Sequence, residues 1–272
     1  MKKYIFAALD FIFDVDEKPY FLEANSVPAG VMELQEVSVR RPIKSLANYM
    51  KKYGPNQCFV GPLKKPWIYK ELKKDLPELK YCYKESNRHS KIYLTDSKGD
   101  KFEPSCIYRH GSLIGRYFEG KIPVINPRTV VHLTSDKDLT YKTVKKVKVN
   151  IPKYFVVDNQ KELNKVLEKN NFDFILKPVS GSMGRNIHFS KVKIKERMLF
   201  QQRIRPKKIN NKFWDVRVFV VDGKYSDGIM RVCKSPITNL SLDGKAYKLP
   251  KRLENKLRSV SESIVRAIDK KA

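Results

Sequence analysis

Asp10, Glu23 and Asn25 are the residues whose types and spacing could do chemistry. They lie in LDFIFDVDEKPYFLEANS (Leu9 to Ser26), which reads as two short strands around a polar turn. Pairing centred between Asp16 and Glu17 sets Asp10 opposite Glu23, with side chains about 5 Å apart on one face. Asn25, two residues further on, points to that same face. Leu9, Phe11, Phe13, Leu22 and Ala24 are expected on the opposite face, where they supply burial. Two carboxylates and a carboxamide on one patch repel unless something cationic joins them. Hard oxygen ligands of this kind suit Mg²⁺, which keeps waters and phosphate oxygens in its remaining positions. Spacing alone fits a solvated hairpin with ordinary surface acids equally well.

The elements that must position such a patch are spread over 272 residues, enough for one large domain or a few small lobes around a shared site. Hydrophobic residues make up 41% of the chain, adequate for a core, and charge is not segregated in a tail. Lys+Arg number 56 against Asp+Glu 29, a formal net charge of +27. That balance fits a polyanionic partner such as nucleic acid, an anionic membrane surface or an acidic polypeptide. It fits a lysine-rich solvated surface as well, and the lack of any aromatic–basic repeat favours the latter. Cys58, Cys82, Cys106 and Cys233 are far apart and form no CxxC pair, which argues against zinc and a redox dithiol. No segment is long enough to span a membrane, and Asp10 interrupts the N-terminal apolar run before a signal sequence could form. A soluble cytoplasmic protein is the expectation.

Along the chain, Pro28-Ala29-Gly30 reads as a turn and Ser38 to Tyr53 as an amphipathic helix stopped by Gly54-Pro55. Alternating short segments follow: an apolar run at Gln57–Gly61, a helix at Pro66–Leu76, and a hairpin around Ser97-Lys98-Gly99-Asp100. Then come a strand at Cys106–Arg109, a short helix at Ser112–Glu119 and a strand at Ile122–Asn126. Together they predict a small α/β lobe. In it Arg109 could bind a substrate carboxylate or form a structural ion pair. Further on, FDFILKPVSGSMGRNIHF places Lys177 at the end of a strand before Ser180-Gly181-Ser182-Met183-Gly184, a loop expected to lead into the next strand. Small residues let backbone N–H groups approach phosphate oxygens, and the adjacent lysine adds positive charge. FWDVRVFVVDGKYSDGIMRV reads as a β-hairpin with Asp222-Gly223 at the turn, setting Arg217 and Arg231 on adjacent strands. Arg217 could instead be a cross-strand partner of Asp215 or Asp227. A helix at Leu253–Ile268 closes the chain.

ALDFIFDVDEKPYFLEANSVPAG resembles the last motif of the ATP-grasp superfamily, in which an Asp on one strand and a Glu-x-Asn on the next hold the magnesium ions of bound ATP. VINPRTVVHLTSDKDLTYKTVKK is similar to the family's Asp-Lys entry into a helix, and the Gly/Ser loop follows in the family's order. The resemblance implies ATP and one or two Mg²⁺ ions, with Asp10, Glu23 and Asn25 on the metal and Lys137 and Lys177 on the α- and β-phosphates. It implies phosphate contacts from Ser180, Gly181, Ser182 and Gly184, and adenine cupped by backbone near Gln202, Arg203 and Ile204 in MLFQQRI. Arg217 and Arg231 would act on the triphosphate and the transferring phosphoryl group. Asn239, in SPITNLSLDGKAYKLP, would bind phosphate and metal. The second Gly of that loop is Lys245 here, a departure from the pattern.

In the family the metal hairpin ends the chain, whereas here it opens it. Joining residue 272 to residue 1 restores the usual helix-then-strand order, which implies an α+β ATP-grasp fold that is circularly permuted; a cut across two tandem units is the competing account. The parts are then 1–54 (metal hairpin and helix), 55–128 (small substrate lobe), 129–198 (central lobe with the phosphate loop) and 199–272 (main lobe, completed by 1–54). The activity implied is ATP-dependent joining of a carboxylate to an amine through an acyl phosphate, on small-molecule or peptide substrates. A kinase acting on an anionic small molecule, and a basic nucleic-acid-binding module with a vestigial nucleotide site, are the alternatives.

Overall fold

A computed structural model describes residues 2–26, 31–61, 66–88, 91–111, 114–181, 185–238 and 244–272. The chain opens with strands β1 (Phe6–Phe13) and β2 (Pro19–Asn25), then helices α1 (Val31–Glu36) and α2 (Arg41–Lys51). Next come β3 (Gln57–Val60), α3 (Trp67–Asp75), β4 (Lys80–Arg88), β5 (Lys91–Asp96), β6 (Lys101–Phe102), β7 (Cys106–Arg109) and β8 (Val124–Ile125). Helices α4 (Arg128–Ser135) and α5 (Lys137–Val144) lead to β9 (Tyr154–Val157), α6 (Gln160–Lys169), β10 (Phe174–Pro178) and β11 (Met198–Gln202). The last elements are β12 (Phe213–Val221), β13 (Lys224–Cys233), β14 (Lys245–Lys248) and α7 (Lys251–Lys271). The strands form three sheets, ordered β14-β13-β12-β1-β2, β10-β11-β9 and β6-β5-β4-β3-β7-β8, in an α+β fold.

The opening hairpin is completed by distant chain. β1 pairs antiparallel with β2 on one side and with β12 on the other, so Asp10 lies between Glu23 and Arg217. Its turn is closed by the Asp14 carboxylate, which accepts from the N–H groups of Asp16 and Lys18. The pairing shifts between Asp10 and Phe11. That bulge leaves Asp10 opposite Glu23 but exchanges the next residues: Phe21 takes the core position, and Leu22, expected in the core, turns to the cavity beside Glu23. The β12–β13 turn is made by Asp222 and Gly223 at φ 51° and 74°, the left-handed pair that a two-residue hairpin needs.

Each face of the five-stranded sheet has its own cover. Leu9, Phe11, Phe13, Val216, Val218 and Val220 pack against α4, α5 and the Leu253, Leu257, Ile264 and Ile268 stripe of α7. On the other face Phe6, Ala8, Phe219, Val221 and Ile229 meet α2, Tyr69 of α3 and the aromatic residues Phe59, Tyr81 and Tyr108 of the six-stranded sheet. Further along the same strands that second face carries Asp10, Asp215, Arg217 and Arg231. One sheet face is therefore apolar at one end and ionic at the other.

Some elements are shorter than their patterns predict. The first long helix starts at Arg41 rather than Ser38, because Ser38 has φ 54°, outside the helical region. The helix expected over Ser112–Glu119 is a single 3₁₀ turn at Arg116–Phe118, preceded by Gly115 at φ 87°. After the Gly/Ser loop, the described residues show an isolated bridge from Leu176 to His188 where a strand was expected. The two ends of the chain meet: the N–H groups of Lys3 and Tyr4 donate to Asp269 Oδ1 at 2.5 and 2.8 Å. Asn126 ties the hairpin down, accepting from the N–H of Ile5 and Phe6 and donating to the carbonyls of Phe6 and Ser26.

Candidate nucleotide and metal site

Strand alternation and register build the ionic end of the sheet. Arg217 donates through Nε and Nη2 to the two oxygens of Asp10, both at 2.7 Å. Arg231 does the same to Asp215 at 2.7 and 2.5 Å, and its Nη2 lies 3.1 Å from Asp10. Thr238 Oγ1 donates to Asp215 as well. All four charged side chains are buried. Two carboxylates and two guanidiniums alternate across three strands, the bidentate arrangement in which such pairs are strongest. Burial alone would raise the pKa of Asp10, but Arg217 and Arg231 outweigh it and hold the carboxyl well below its usual range. At Asp215 burial prevails over Arg231 and the pKa is raised. Arg217 is thus partnered by Asp10, not by Asp215 or Asp227.

Glu23 is less enclosed. Its oxygens accept weakly from Asn25 Nδ2 at 3.4 Å and lie 3.9 Å from Lys137 Nζ. Lys137 begins α5, where Asp136 caps the helix by accepting from the Leu139 N–H. Its ammonium donates to the Gly181 carbonyl at 2.8 Å, and its N–H to the Val179 carbonyl at 3.0 Å, so helix start and Gly/Ser loop are held together. Lys177, buried on β10, has the Tyr141 hydroxyl at 3.4 Å. Burial first, then the neighbouring Lys137 charge, push its pKa down from 10.5 to about 7, although Glu23 and Asp10 pull the other way.

These groups line one cavity of about 670 Å³. One part is apolar, walled by Ile175, Ile187, Phe189, Ile204, Phe213 and Trp214; the other holds the Asp10–Arg217–Arg231–Asp215 array, Glu23, Asn25, Lys137 and Lys177. Ser180, Gly181, Gln202, Arg203 and Ile204 line it too. The Arg203 guanidinium lies over the Phe189 ring at 4.7 Å. The N–H groups of Gln202 and Arg203 donate to the carbonyls of Lys153 and Asp173. Among the described residues no three His, Cys, Asp or Glu side chains cluster as a metal cage. A cation would rest on two carboxylates and an amide and complete its shell with water and ligand oxygens, as Mg²⁺ does.

Twelve of the expected residues are thereby brought together. Ser182, Gly184 and Asn239, with the Pro28-Ala29-Gly30 turn, lie outside the described residues. Arg109 does not line the cavity. It is buried and donates to Glu119 at 2.8 Å and to the Asn126 carbonyl at 2.7 Å, the structural ion pair rather than a substrate contact. Asp215, Thr238, Tyr141, Gln201 and Trp214 are additional members of the site or its support. The alternation Asp215-x-Arg217 was visible, but the partner of each depends on register with Arg231 and Asp10, which no local pattern carries.

An apolar slot joined to a chamber lined by acidic and basic side chains can hold a molecule with one apolar and one anionic part. Residues 134–269, half of the chain, match the model of the RimK-like ATP-grasp domain, and the chain belongs to that family. It is 29% identical over 188 residues to the coenzyme gamma-F420-2:alpha-L-glutamate ligase of Methanocaldococcus jannaschii. It is 25% identical over 191 residues to the alpha-aminoadipate–LysW ligase LysX of Saccharolobus solfataricus. Each match takes in 63% of this chain, which spans 65% and 67% of the respective relatives. The fold is similar to that of a putative gamma-glutamylcysteine synthetase from Methylobacillus flagellatus, with TM-score 0.57 at 11% identity, covering 99% of this chain and 87% of that one. The ATP-grasp ligase PsnB gives the same TM-score at 12% identity, covering 78% and 82%. Among the described residues no helix is long and apolar enough to cross a membrane.

Proposed function

We propose that this chain is an ATP- and Mg²⁺-dependent, ADP-forming ligase that joins a carboxylate to an amine. The observation that carries the reading is the convergence of the N-terminal Asp10, Glu23 and Asn25 with Lys137, Lys177, Arg217 and Arg231 on one cavity with an apolar end. The base fits the apolar end, and the phosphates fit between Lys177, Lys137 and the Gly181 backbone. Glu23 and Asn25 would hold Mg²⁺, with Asp10 contributing what its two arginine partners leave. When bound, the ion would neutralise charge on the phosphate oxygens.

The terminal phosphoryl group passes to a carboxylate oxygen of the acid, the bond to ADP breaks, and an acyl phosphate forms. An amine then attacks the acyl carbon; the tetrahedral oxyanion collapses, phosphate leaves and the amine loses its proton. Arg217 and Arg231, held in fixed orientation by Asp10 and Asp215, face the charge that builds up in both steps. None of these groups is a covalent nucleophile, so catalysis rests on positioning and electrostatics. The named activities of the two curated relatives, a glutamate ligase and an α-aminoadipate–LysW ligase, support an acid-plus-amine reaction on a small-molecule or peptide substrate.

The cyclic order of parts also supports a circular permutation. The family match runs to residue 269, the opening hairpin precedes it, and Asp269 accepts from the N–H groups of Lys3 and Tyr4 just before β1. In this reading 1–54 completes the main lobe 199–272, with 55–128 as substrate lobe and 129–198 as central lobe.

Thermal unfolding with Mg·ATP, followed by hydroxamate formation from a panel of carboxylic acids with hydroxylamine, tests the proposal. A Mg²⁺-dependent rise in Tm that weakens in Glu23→Ala, and hydroxamate with ADP release, are expected. No shift at saturating Mg·ATP would overturn it. A phosphate monoester without hydroxamate would make the protein a kinase.

A further inference from the structure

Among the described residues four acids line the cavity, and three of them already face cations. Asp10 and Asp215 hold the two arginines, and Glu23 lies near Lys137. The fourth, Glu33 on α1, has no ion pair among the described residues, and its Oε2 is shielded from solvent without a hydrogen-bond partner. A carboxylate oxygen in that condition is costly unless a cation or a donor meets it. Among the described residues no three His, Cys, Asp or Glu side chains cluster there, so this lone carboxylate is a poor seat for a further metal ion.

The path of the chain shows what can reach it. Phe213 and Trp214 wall the apolar slot, and Asp215 and Arg217 follow them along β12. Ser26, just past β2, lines the cavity on the far side of these groups, where Asn126 holds it beside Phe6 at the other end of β1 from Ile12. The chain leaves β2 at that end. Strand β2 is one edge of the five-stranded sheet and β14 the other, yet α1 packs on β14 and on α3. The chain therefore crosses the sheet before α1, and Leu34 joins the core on the face shared with α2 and α3. Helix α1 thus links the cavity to residues 55–128, the lobe assigned above to substrate. Donors are scarce on the polar wall: Thr134 Oγ1 and Ser135 Oγ donate to the carbonyls of Val130 and His132 at 2.9 and 3.1 Å, which leaves both oxygens able only to accept.

We infer that Glu33 receives the amine substrate and takes it as its ammonium, so that the acceptor is an amine charged in solution rather than a neutral nucleophile. An ammonium brings a full positive charge and several donors, which suit an unpaired carboxylate on a wall of acceptors. Lys137, Lys177, Arg217 and Arg231 line the phosphate chamber and repel such a cation, and Glu33 supplies the opposing attraction. The inference rests on the ligase reading above and deepens it by assigning the subsite of the amine.

The test makes two nucleophiles compete for one acyl phosphate. The full chain, Mg·ATP and the acid that yields most hydroxamate are incubated at mildly alkaline pH with hydroxylamine, which is neutral there, and with one ammonium acceptor. The acceptors are the common amino acids and putrescine, and amide and hydroxamate are measured by mass spectrometry. For the best acceptor, Glu33→Gln should lower the amide-to-hydroxamate ratio about 10- to 100-fold, the range for a lost hydrogen bond between charged groups. Glu33→Asp, which keeps the charge but withdraws it by one methylene, should lie between and serves if Glu33→Gln does not fold. The ratio between two neutral nucleophiles, methoxyamine and hydroxylamine, should move by less than about twofold, because neither carries the charge that Glu33 would pair. An unchanged amide-to-hydroxamate ratio in the variant that folds overturns the inference. An equal fall in the methoxyamine ratio would mark a change of shape rather than of charge and overturns it as well. So does an altered Mg²⁺ dependence of hydroxamate formation, which would assign Glu33 to the metal. Hydroxamate without amide from any of these acceptors also overturns it. If the wild type forms no hydroxamate from any acid, the ligase reading itself fails, a distinct outcome.

Discussion

Lys177 offers a quantitative check on the electrostatics of the site. In the folded protein its pKa falls from 10.5 to about 7, chiefly through burial and then through Lys137. At about 1.4 kcal/mol per pH unit, this gap is a ceiling of about 5 kcal/mol against the charged form. The folded state favours the neutral amine, so between pH 7 and 10.5 the unfolded chain binds more protons, and this group's contribution to stability rises with pH across that window. Its penalty is fully present below about pH 7. Lys177→Met should therefore stabilise the ligand-free protein at pH 7 by up to about 4 kcal/mol and flatten the dependence between pH 7 and 10.

Bound triphosphate reverses the balance by supplying the missing anion. At pH 8 roughly nine-tenths of Lys177 is neutral, so binding should take up about 0.9 proton per site. Calorimetry of a non-hydrolysable Mg·ATP analogue, in buffers of different ionisation enthalpy, measures that number directly. The reasoning fails if the uptake is zero at pH 8, or if Lys177→Met takes up as many protons as wild type.

Three further outcomes follow from named contacts. Asp10→Asn leaves Arg217 and Arg231 buried with one carboxylate fewer, and should cost about 3–5 kcal/mol by denaturant unfolding, part of it recovered in Asp10→Asn with Arg217→Met. Asn126→Ala removes four hydrogen bonds from the residue after β8 to the backbone at the two ends of the opening hairpin, and should cost about 2–4 kcal/mol while lowering nucleotide affinity through displacement of the residues proposed to hold Mg²⁺. A variant with residues 272 and 1 joined by a short linker and reopened at Gly54-Pro55 should fold and bind Mg·ATP as wild type does. Failure of that variant to fold would count against the cyclic order.

Much of the chemistry was legible in the chain because it is carried by short-range periodicity. Alternation in LDFIFD and FLEAN puts Asp10, Glu23 and Asn25 on one face whatever lies beside them, and Asp222-Gly223 selects its hairpin through backbone sterics alone. The α+β fold class was legible as well, through the resemblance of the hairpin and of the strand before the Gly/Ser loop to ATP-grasp motifs. Tertiary structure decided the partnerships. Asp10 meets Arg217 because β1 inserts beside β12, a pairing across some two hundred residues that no local pattern encodes. The bulge that exchanges Phe21 and Leu22 is set by what each strand packs against. Arg109 could have met a ligand or an acid; only the proximity of Glu119 and Asn126 settles which. Side-chain type and local period are properties of a segment, whereas burial, register and the sign of a neighbouring charge belong to the assembled fold.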